Sequence, residues 1–410
     1  MYVVDKQNTP AQALSLVESI LNKMETLSKP QFKFMSWIFM AWLGLPVRHT
    51  FSNLARFGPY CDKTIRLHFA KAFCFAQFCQ LLIQNHTGAE RICAFDPSYL
   101  PKSGKSTYGV DYWWCGTLQQ ALRGLEVGIL GVVDVKARTA FPLQATQTPS
   151  RQELKAQGKS LMEHYISLLQ AQKQRLQQLG IKYVTADAYF PKQTYVDAVL
   201  ELQMHLITRL RQDSNLRYLY HGPRNKTGRP KMYDGKIDCN CIDKRRLRWF
   251  KADGVCDYYS GVVNAVTFKR QVRIVYIEGK NGKHRCILMS TDTELAPEKI
   301  VEYYKLRFQI EFLIRDSKVY AGLEECQARD KEKLDFHFNL ALASVGVAKA
   351  AYWLSIPEEQ RGAFSMRNVK MLFTCRLFTD RVFTNLGLDP SLNKHQEAYN
   401  QCLDIEKIAA

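Results

Sequence analysis

Apolar residues recur at helical spacing through residues 10–88, so this stretch reads as a set of helices. Within it, TFSNLARFGPYCDKTIRLHF (50–69) has the grammar of two short helices about a turn. Thr50 to Phe57 forms the first, Gly58-Pro59 stops it, and Asp62 is placed to N-cap the second. The second carries Lys63, Thr64 and Arg66, which suit a recognition helix in a DNA groove; an ordinary helical hairpin has the same pattern. From residue 91 the texture changes. Arg91 to Phe95 is an apolar strand ending at Asp96, Leu125 to Val135 and Ala137 to Ala145 form a hairpin, and Gln152 to Leu179 is one long amphipathic helix closed by Gly180. A second apolar strand, Ile181 to Thr185, ends near Asp187; a helix from Lys192 and a strand His205 to Leu210 follow. This order predicts a mixed α/β sheet. Residues 211–286 break the rhythm with strand-like runs Val262 to Lys269 and Gln271 to Ile277, the latter joined to Arg285 to Ser290 by an Asn281-Gly282 turn. Helices return from Glu298, including Leu334 to Leu354 and Met366 to Leu386; the apolar positions of the last suit a core face, with a dimer contact left open.

Charge narrows the function. The 57 Lys+Arg against 39 Asp+Glu give +18, which calls for a polyanionic partner, most simply nucleic acid. The basic residues concentrate in Arg224 to Lys251, with ten cations and three aspartates, including Arg245 and Arg246 beside Trp249 and Phe250. Such interleaving suits phosphate clamping with base stacking by Trp249; packing of Trp249 under a small sheet is the competing expectation. The most apolar stretch, Met35 to Val47, is too short to span a bilayer, and MYVVDKQNTP lacks the pattern of a signal peptide. Twelve scattered cysteines, several in apolar runs, fit reduced thiols in a cytoplasmic protein.

The chemistry concentrates in EKIVEYYKLRFQIEFLIRDSKVY (298–320), read as one helix. On a wheel of about 100° per residue, Tyr304, Arg307, Glu311 and Lys318 share one stripe with Arg315 close by. Val301, Phe308, Phe312 and Val319 flank it on one side, Tyr303, Ile310 and Ile314 on the other, while Asp316 and Ser317 fall on the back. A charged stripe inside an apolar face is drawn inward and needs partners. It suits a site that holds metal and phosphates together, or a buried salt-bridge network. Asp96 and Asp187, each after an apolar strand, are the acids most suited to join Glu311; Asp134 sits at a hairpin turn and Asp111 in a loop. Three such carboxylates can hold two divalent ions, Mg²⁺ or Mn²⁺ because the ligands are hard oxygens, for in-line phosphoryl displacement.

The spacing Tyr304-x2-Arg307-x3-Glu311-x6-Lys318 resembles the Y-R-E-K signature of bacterial insertion-sequence transposases of the DDE class. DPSYLPKSGK (96–105), TADAYFPK (185–192), STDTELAPEKIVEYYKLRFQIE (290–311) and GLEECQARD (322–330) resemble the segments around that family's acids and its continuation. The resemblance implies a mixed α+β fold with an RNase H-like catalytic core, interrupted by a β-rich insertion, with helical N- and C-terminal regions. The corresponding division is a DNA-binding domain at 1–88, a split core at 89–210 and 287–355, the insertion at 211–286 and a helical region at 356–410. It implies Asp96, Asp187 and Glu311 as the metal-binding catalytic triad, and Tyr304, Arg307 and Lys318 on the phosphates of the element end. The expected activity is cleavage at the ends of an insertion sequence and strand transfer into target DNA, through a hairpin intermediate in some members. A homodimer on double-stranded DNA, associated with the nucleoid, accompanies it. A structure-selective nuclease of the same fold, and an inactive DNA-binding derivative, are the alternatives.

Other signals are weaker. Gly104-Lys105-Ser106 imitates a P-loop tail, but Tyr99 stands where its first glycine belongs; Lys105 is a candidate DNA contact or a solvated loop lysine. Cys239, Cys241, Cys256 and Cys286 fit no common zinc spacing. Thr227-Gly228-Arg229-Pro230-Lys231 resembles a minor-groove arm, a pattern that any basic loop can carry.

Overall fold

The computed structural model describes residues 9–104, 106–223, 227–280, 285–361 and 363–403. Five helices lead: α1 (Thr9–Asn22), α2 (Lys29–Gly44), α3 (Phe51–Arg56), α4 (Asp62–Phe69) and α5 (Phe75–His86). Ser28 caps α2 through the Gln31 amide, and Thr50 caps α3 through that of Asn53. Asp62 is not the N-cap of α4. Cys61 holds that position, and Asp62 lies in the first turn, where it accepts from Ser52 and pairs with Arg66. These helices are built into the rest of the molecule: α1 packs on α12 (Lys331–Leu354), α2 on α13 (Met366–Asn385) and α4 on α12, within one continuous apolar core. α14 (Asn393–Leu403) closes the described chain against α13.

The sheet begins with β1 (Arg91–Pro101), β2 (Asp111–Cys115), β3 (Gln120–Asp134) and β4 (Thr139–Gln147). Strand β3 is long enough to carry both β2 and β4 on one edge, with β1 on the other. Its run from Leu125 to Val133, apolar except for Glu126, is buried on both faces, as expected of a central strand. Pro142 is tolerated in β4 because it sits at the register shift opposite Leu130 and Gly131. Strands β5 (Tyr183–Ala186) and β6 (His205–Leu210) then join parallel to β1, so the core order is β4-β3-β1-β5-β6. Three antiparallel strands followed by two parallel ones make the RNase H-like arrangement, and the expected mixed α+β class holds.

One expectation changes here. Residues 152–179 do not form one helix but three: α6 (Arg151–Ala156), α7 (Leu161–Ala171) and α8 (Lys173–Gln178). The cause is local. Gly158 takes φ +65°, and Ser160 opens a new helix with a capping box to Glu163, as Ser150 does with Glu153. Residues 211–286 are rich in strands. After α9 (Gln193–Glu201), strands β7 (Leu216–Leu219), β8 (Tyr233–Ile237), β9 (Arg248–Ala252), β10 (Cys256–Ala265), β11 (Arg270–Gly279) and β12 (Arg285–Ser290) extend the core sheet. β12 pairs antiparallel with β6, and the order continues β12-β11-β10-β7-β8, with β9 on β10. The Asn281-Gly282 turn lies outside the described residues.

Helices cover both faces of the core. Gly128 faces Leu168 of α7, whereas Gly131, on the opposite face, abuts Ile310. Helix α12 is buried along nearly its whole length against β4, α1 and α5, which explains its lack of a polar face.

Candidate active site

Strand register brings two of the expected acids together. β1 and β5 run parallel with Ala94 opposite Thr185. Asp96 and Asp187 each lie two residues further on, so they emerge on the same face from neighbouring strands, whose axes are about 4.8 Å apart in a sheet. Asp96 remains inside β1, which continues as the partner of β3; Asp187 lies in the turn after β5. That turn is held by the Thr208 hydroxyl donating to the Asp187 carbonyl at 2.8 Å, and by the Tyr189 amide donating to the Asp187 carboxylate at 2.8 Å.

The third group arrives on a helix that is broken at the site. Residues 298–320 form α10 (Pro297–Leu306) and α11 (Gln309–Tyr320), separated at Arg307 and Phe308. Across the break the amides of Phe308, Ile310 and Glu311 bond to carbonyls three residues back, a tightened 3₁₀-like turn. The continuous wheel is therefore corrected. Asp316 and Ser317, expected on the back, are buried with Ile310, Leu313 and Ile314, while the flanking Phe308 and Val319 are exposed. The ionisable stripe runs along the border of the buried face.

Arg307 sits at the break, mostly buried, and its guanidinium donates to Glu311 Oε1 at 2.8 Å. Its Nε is buried without a partner among the described residues. The Arg307 guanidinium also lies 5.8 Å from the Tyr304 ring centre. Burial raises the Tyr304 phenol against the opposing pull of Arg307. The Asp96 carboxyl is pushed up to about 7: burial is the main cause, Arg307 opposes it, and the carboxylates of Asp187, Glu311 and Glu126 add to it. Three further carboxylates thus act on Asp96 against the one guanidinium of Arg307, which itself interacts with Asp96 and Glu311, so the negative charge near Asp96 exceeds what Arg307 alone offsets. Among the described residues, no three His, Cys, Asp or Glu side chains stand at metal-holding spacing, and Glu311 is turned onto Arg307. The donor set of hard carboxylate oxygens with excess negative charge nevertheless fits a divalent cation.

The remaining candidates divide. Lys318 Nζ donates to the Tyr99 carbonyl at 2.7 Å and pairs with Glu324 at 3.0 Å, tying α11 to β1 just beyond Asp96. Arg315 is exposed, paired with Asp316 and stacked over Phe312. Lys105 lies outside the described residues. Arg245 pairs with Asp243 and Arg246 with Asp234, both on the surface. Trp249 is 55 % exposed on β9 and not packed beneath the sheet; Phe250 is the partly buried one. Trp249 is nonetheless on the strand face opposite to the acids. Its neighbour Arg248 shares their face through the row Ser260, Val275, Leu288 and Arg209. On α4, Lys63 is exposed, Thr64 bonds Cys61, and Arg66 is held by Asp62 and the Phe51 ring. The competitors have structural duties: Asp134 accepts from the Gly88 and Ala137 amides, and Asp111 from those of Tyr112 and Arg151.

Two residues escaped the sequence reading. Arg209 follows Thr208, which pairs with Ala186, so it stands beside Asp187; it is exposed and has no ion-pair partner among the described residues. The signal was an arginine ending an apolar strand. Glu126, buried on β3, accepts from Tyr165 at 2.6 Å and Thr148 at 3.0 Å. Only the pairing of β3 with β1 places it near Asp96.

With that geometry in hand, the comparison with protein families is decisive. The family described as Transposase DDE domain matches residues 137–345, just over half of the chain. This chain belongs to that family. The match takes in Asp187 and Glu311 and begins after Asp96. No curated protein matches the transposase. Transposases of this class generally use divalent metal ions and act on DNA. Among the described residues no helix of this transposase is long and apolar enough to cross a membrane.

Proposed function

We propose that this transposase binds the ends of its own insertion sequence and catalyses strand cleavage and strand transfer at Asp96, Asp187 and Glu311. The observation that carries this reading is the side-by-side emergence of Asp96 and Asp187 from parallel strands, with the Arg307–Glu311 pair close enough to perturb Asp96. Asp96 and Asp187 would hold Mg²⁺ or Mn²⁺, joined by Glu311 once it exchanges Arg307 for the cation. When bound, such ions supply Lewis acidity toward the attacking and leaving oxygens of a phosphodiester.

The chain's own groups do the rest. Arg307, released from Glu311, is left with a free planar fork at the break between α10 and α11, suited to a bidentate phosphate contact. Tyr304 buttresses that guanidinium. Arg209 adds an unpaired cation beside Asp187, and Lys318 fixes the distance between α11 and β1 while remaining available to a phosphate. Water attacks the phosphodiester at the element end, the 3′-hydroxyl leaves, and that hydroxyl then attacks a second phosphodiester, on the opposite strand as a hairpin or on target DNA. Lys63, Thr64 and Arg66 on α4 and the basic Arg245, Arg246 and Trp249 region are the proposed contacts to the rest of the end, with Lys105 as a further candidate. Arg315 is a weaker candidate, since it faces solvent. A homodimer in the DNA complex is part of the proposal, supported by the exposed Met371, Phe378, Val382 and Leu386 along α13.

The test is cleavage of end-bearing DNA in Mg²⁺ by wild type, Asp96→Asn, Asp187→Asn and Glu311→Gln. Loss of cleavage with retained end binding supports the reading; a variant that cleaves at the wild-type rate removes that residue. Full activity in EDTA removes the metal. Cleavage without strand-transfer products would make the protein a nuclease.

A further inference from the structure

The corner of the sheet carrying β2 has no role in the site described above. Here β3 and β1 run on past the level of Asp96, and β2 pairs only with the projecting part, Gln120 to Gly124. On β2, Trp113 and Cys115 turn inward, whereas Tyr112 and Trp114 are 57 % and 59 % exposed. Tyr112 stands opposite Arg123, and Trp114 opposite Ala121. Arg123 is on the same face of the sheet as Asp96, because Leu125 pairs with Leu100 and Ile129 with Asp96. Cations from the segment after α11 complete the corner. The Arg329 carbonyl accepts from the Tyr108 amide, and Lys331 lies 5.3 Å from the Tyr108 ring centre. Among the described residues, Arg123, Arg329 and Lys331 have no carboxylate within ion-pairing distance.

We infer that this corner is a second DNA contact, which grips the duplex on the flanking side of the cleaved bond through phosphate contacts from Arg123, Arg329 and Lys331 and ring contacts from Tyr112 and Trp114. The inference rests on the proposed function. Charge complementarity selects DNA: exposed rings beside unpaired cations suit a nucleic-acid backbone, and a second copy of a chain with net charge +18 does not match such a patch. Position selects the flank. In the sheet order, β2 lies at one end, the insertion at the other, and the acid-bearing β1 and β5 between them. A duplex that crosses the acids obliquely to the strands therefore has one arm toward the β2 corner, displaced from Asp96 mainly along β3, and the other toward the insertion. With the insertion on the element's end, the arm toward β2 is the DNA outside the element. Its reach follows from register. Ile129 is opposite Asp96 and Ala121 is opposite Trp114, eight residues apart on β3. At about 3.4 Å per residue this is roughly 27 Å, or about eight base-pair steps.

The test measures affinity of the full-length protein for end DNA that carries no flank, a 5-bp flank or a 15-bp flank. Wild type should bind the 15-bp form tighter than the flush form, with little gain from 5 bp. Arg123→Gln/Lys331→Gln should remove that gain and lower the salt slope on the long form by about two, leaving the flush form unchanged. Trp114→Ala, a surface change, should weaken only the long form. Equal losses on flush and long DNA would make the corner an end contact and overturn the inference. So would unchanged binding everywhere, or a change in sedimentation of the free protein that marks the corner as a self-association surface. If wild type fails to bind even flush ends, it is the proposed function that fails; a gain from flank without end specificity would leave the corner as a general DNA contact and overturn its assignment to the flank.

Discussion

Asp96→Asn should abolish cleavage and at the same time stabilise the cation-free protein. The Asp96 carboxyl is raised from 3.8 to about 7, chiefly by burial and then, against the pull of Arg307, by Asp187, Glu311 and Glu126. Between those values the folded protein holds a proton that the unfolded chain has released, so stability falls as pH rises from near 4 to about 7. The shift of about three units corresponds to an upper figure of about 4 kcal/mol at pH 8. Asparagine has the same shape and does not titrate. The variant should therefore match wild type near pH 4 and exceed it by up to about 4 kcal/mol above pH 7. For a chain of 410 residues this is a rise in melting temperature of roughly 5 °C. The assay is thermal or denaturant unfolding of both proteins in EDTA from pH 4 to 8. Adding Mg²⁺ at pH 8 should then stabilise wild type and leave the variant nearly unchanged. A difference independent of pH, or a variant less stable than wild type at pH 8, would refute the account of Asp96 as an acid crowded by like charge.

Arg307→Ala should raise the Asp96 carboxyl further, because it removes the cation that opposes the rise, and so move the pH at which Mg²⁺ protects the protein upward; isothermal titration at several pH values checks this. Lys318→Met keeps the aliphatic stem but loses the bonds to the Tyr99 carbonyl and Glu324; it should cost about 1 kcal/mol in melts and much more in cleavage rate, and equal losses in both would make Lys318 structural. Gly322→Ala should destabilise by about 2 kcal/mol or more, since Gly322 takes φ +62° and a Cβ there would lie 2.3 Å from His49 Nδ1; a melt within 1 °C of wild type would contradict that. Trp249→Ala should leave melting unchanged, because the ring is 55 % exposed, while weakening binding to an end that carries unpaired bases by about 1–3 kcal/mol in a fluorescence titration.

The local periodicities of this transposase were enough to mark the candidate acids. Asp96 and Asp187 stand out because each ends an apolar run, and the parallel pairing of those runs brings the two residues to one level of the sheet. The stripe Tyr304, Arg307, Glu311 and Lys318 was visible because helical spacing repeats every three or four residues. Tertiary structure decided the rest. Whether 298–320 bends at Arg307 depends on how α10 and α11 each find a different part of the sheet, and a wheel drawn on a straight helix misplaces Asp316 and Ser317 for that reason. Whether the insertion stands alone or extends the sheet depends on β12 pairing with β6, a contact between strands some 80 residues apart that no local pattern encodes. Glu126, Arg209 and the exposed corner at Trp114 owe their places to strand register in the same way. A side chain's distance from another element is a property of pairing across the sheet, and sequence spacing along one strand carries no measure of it.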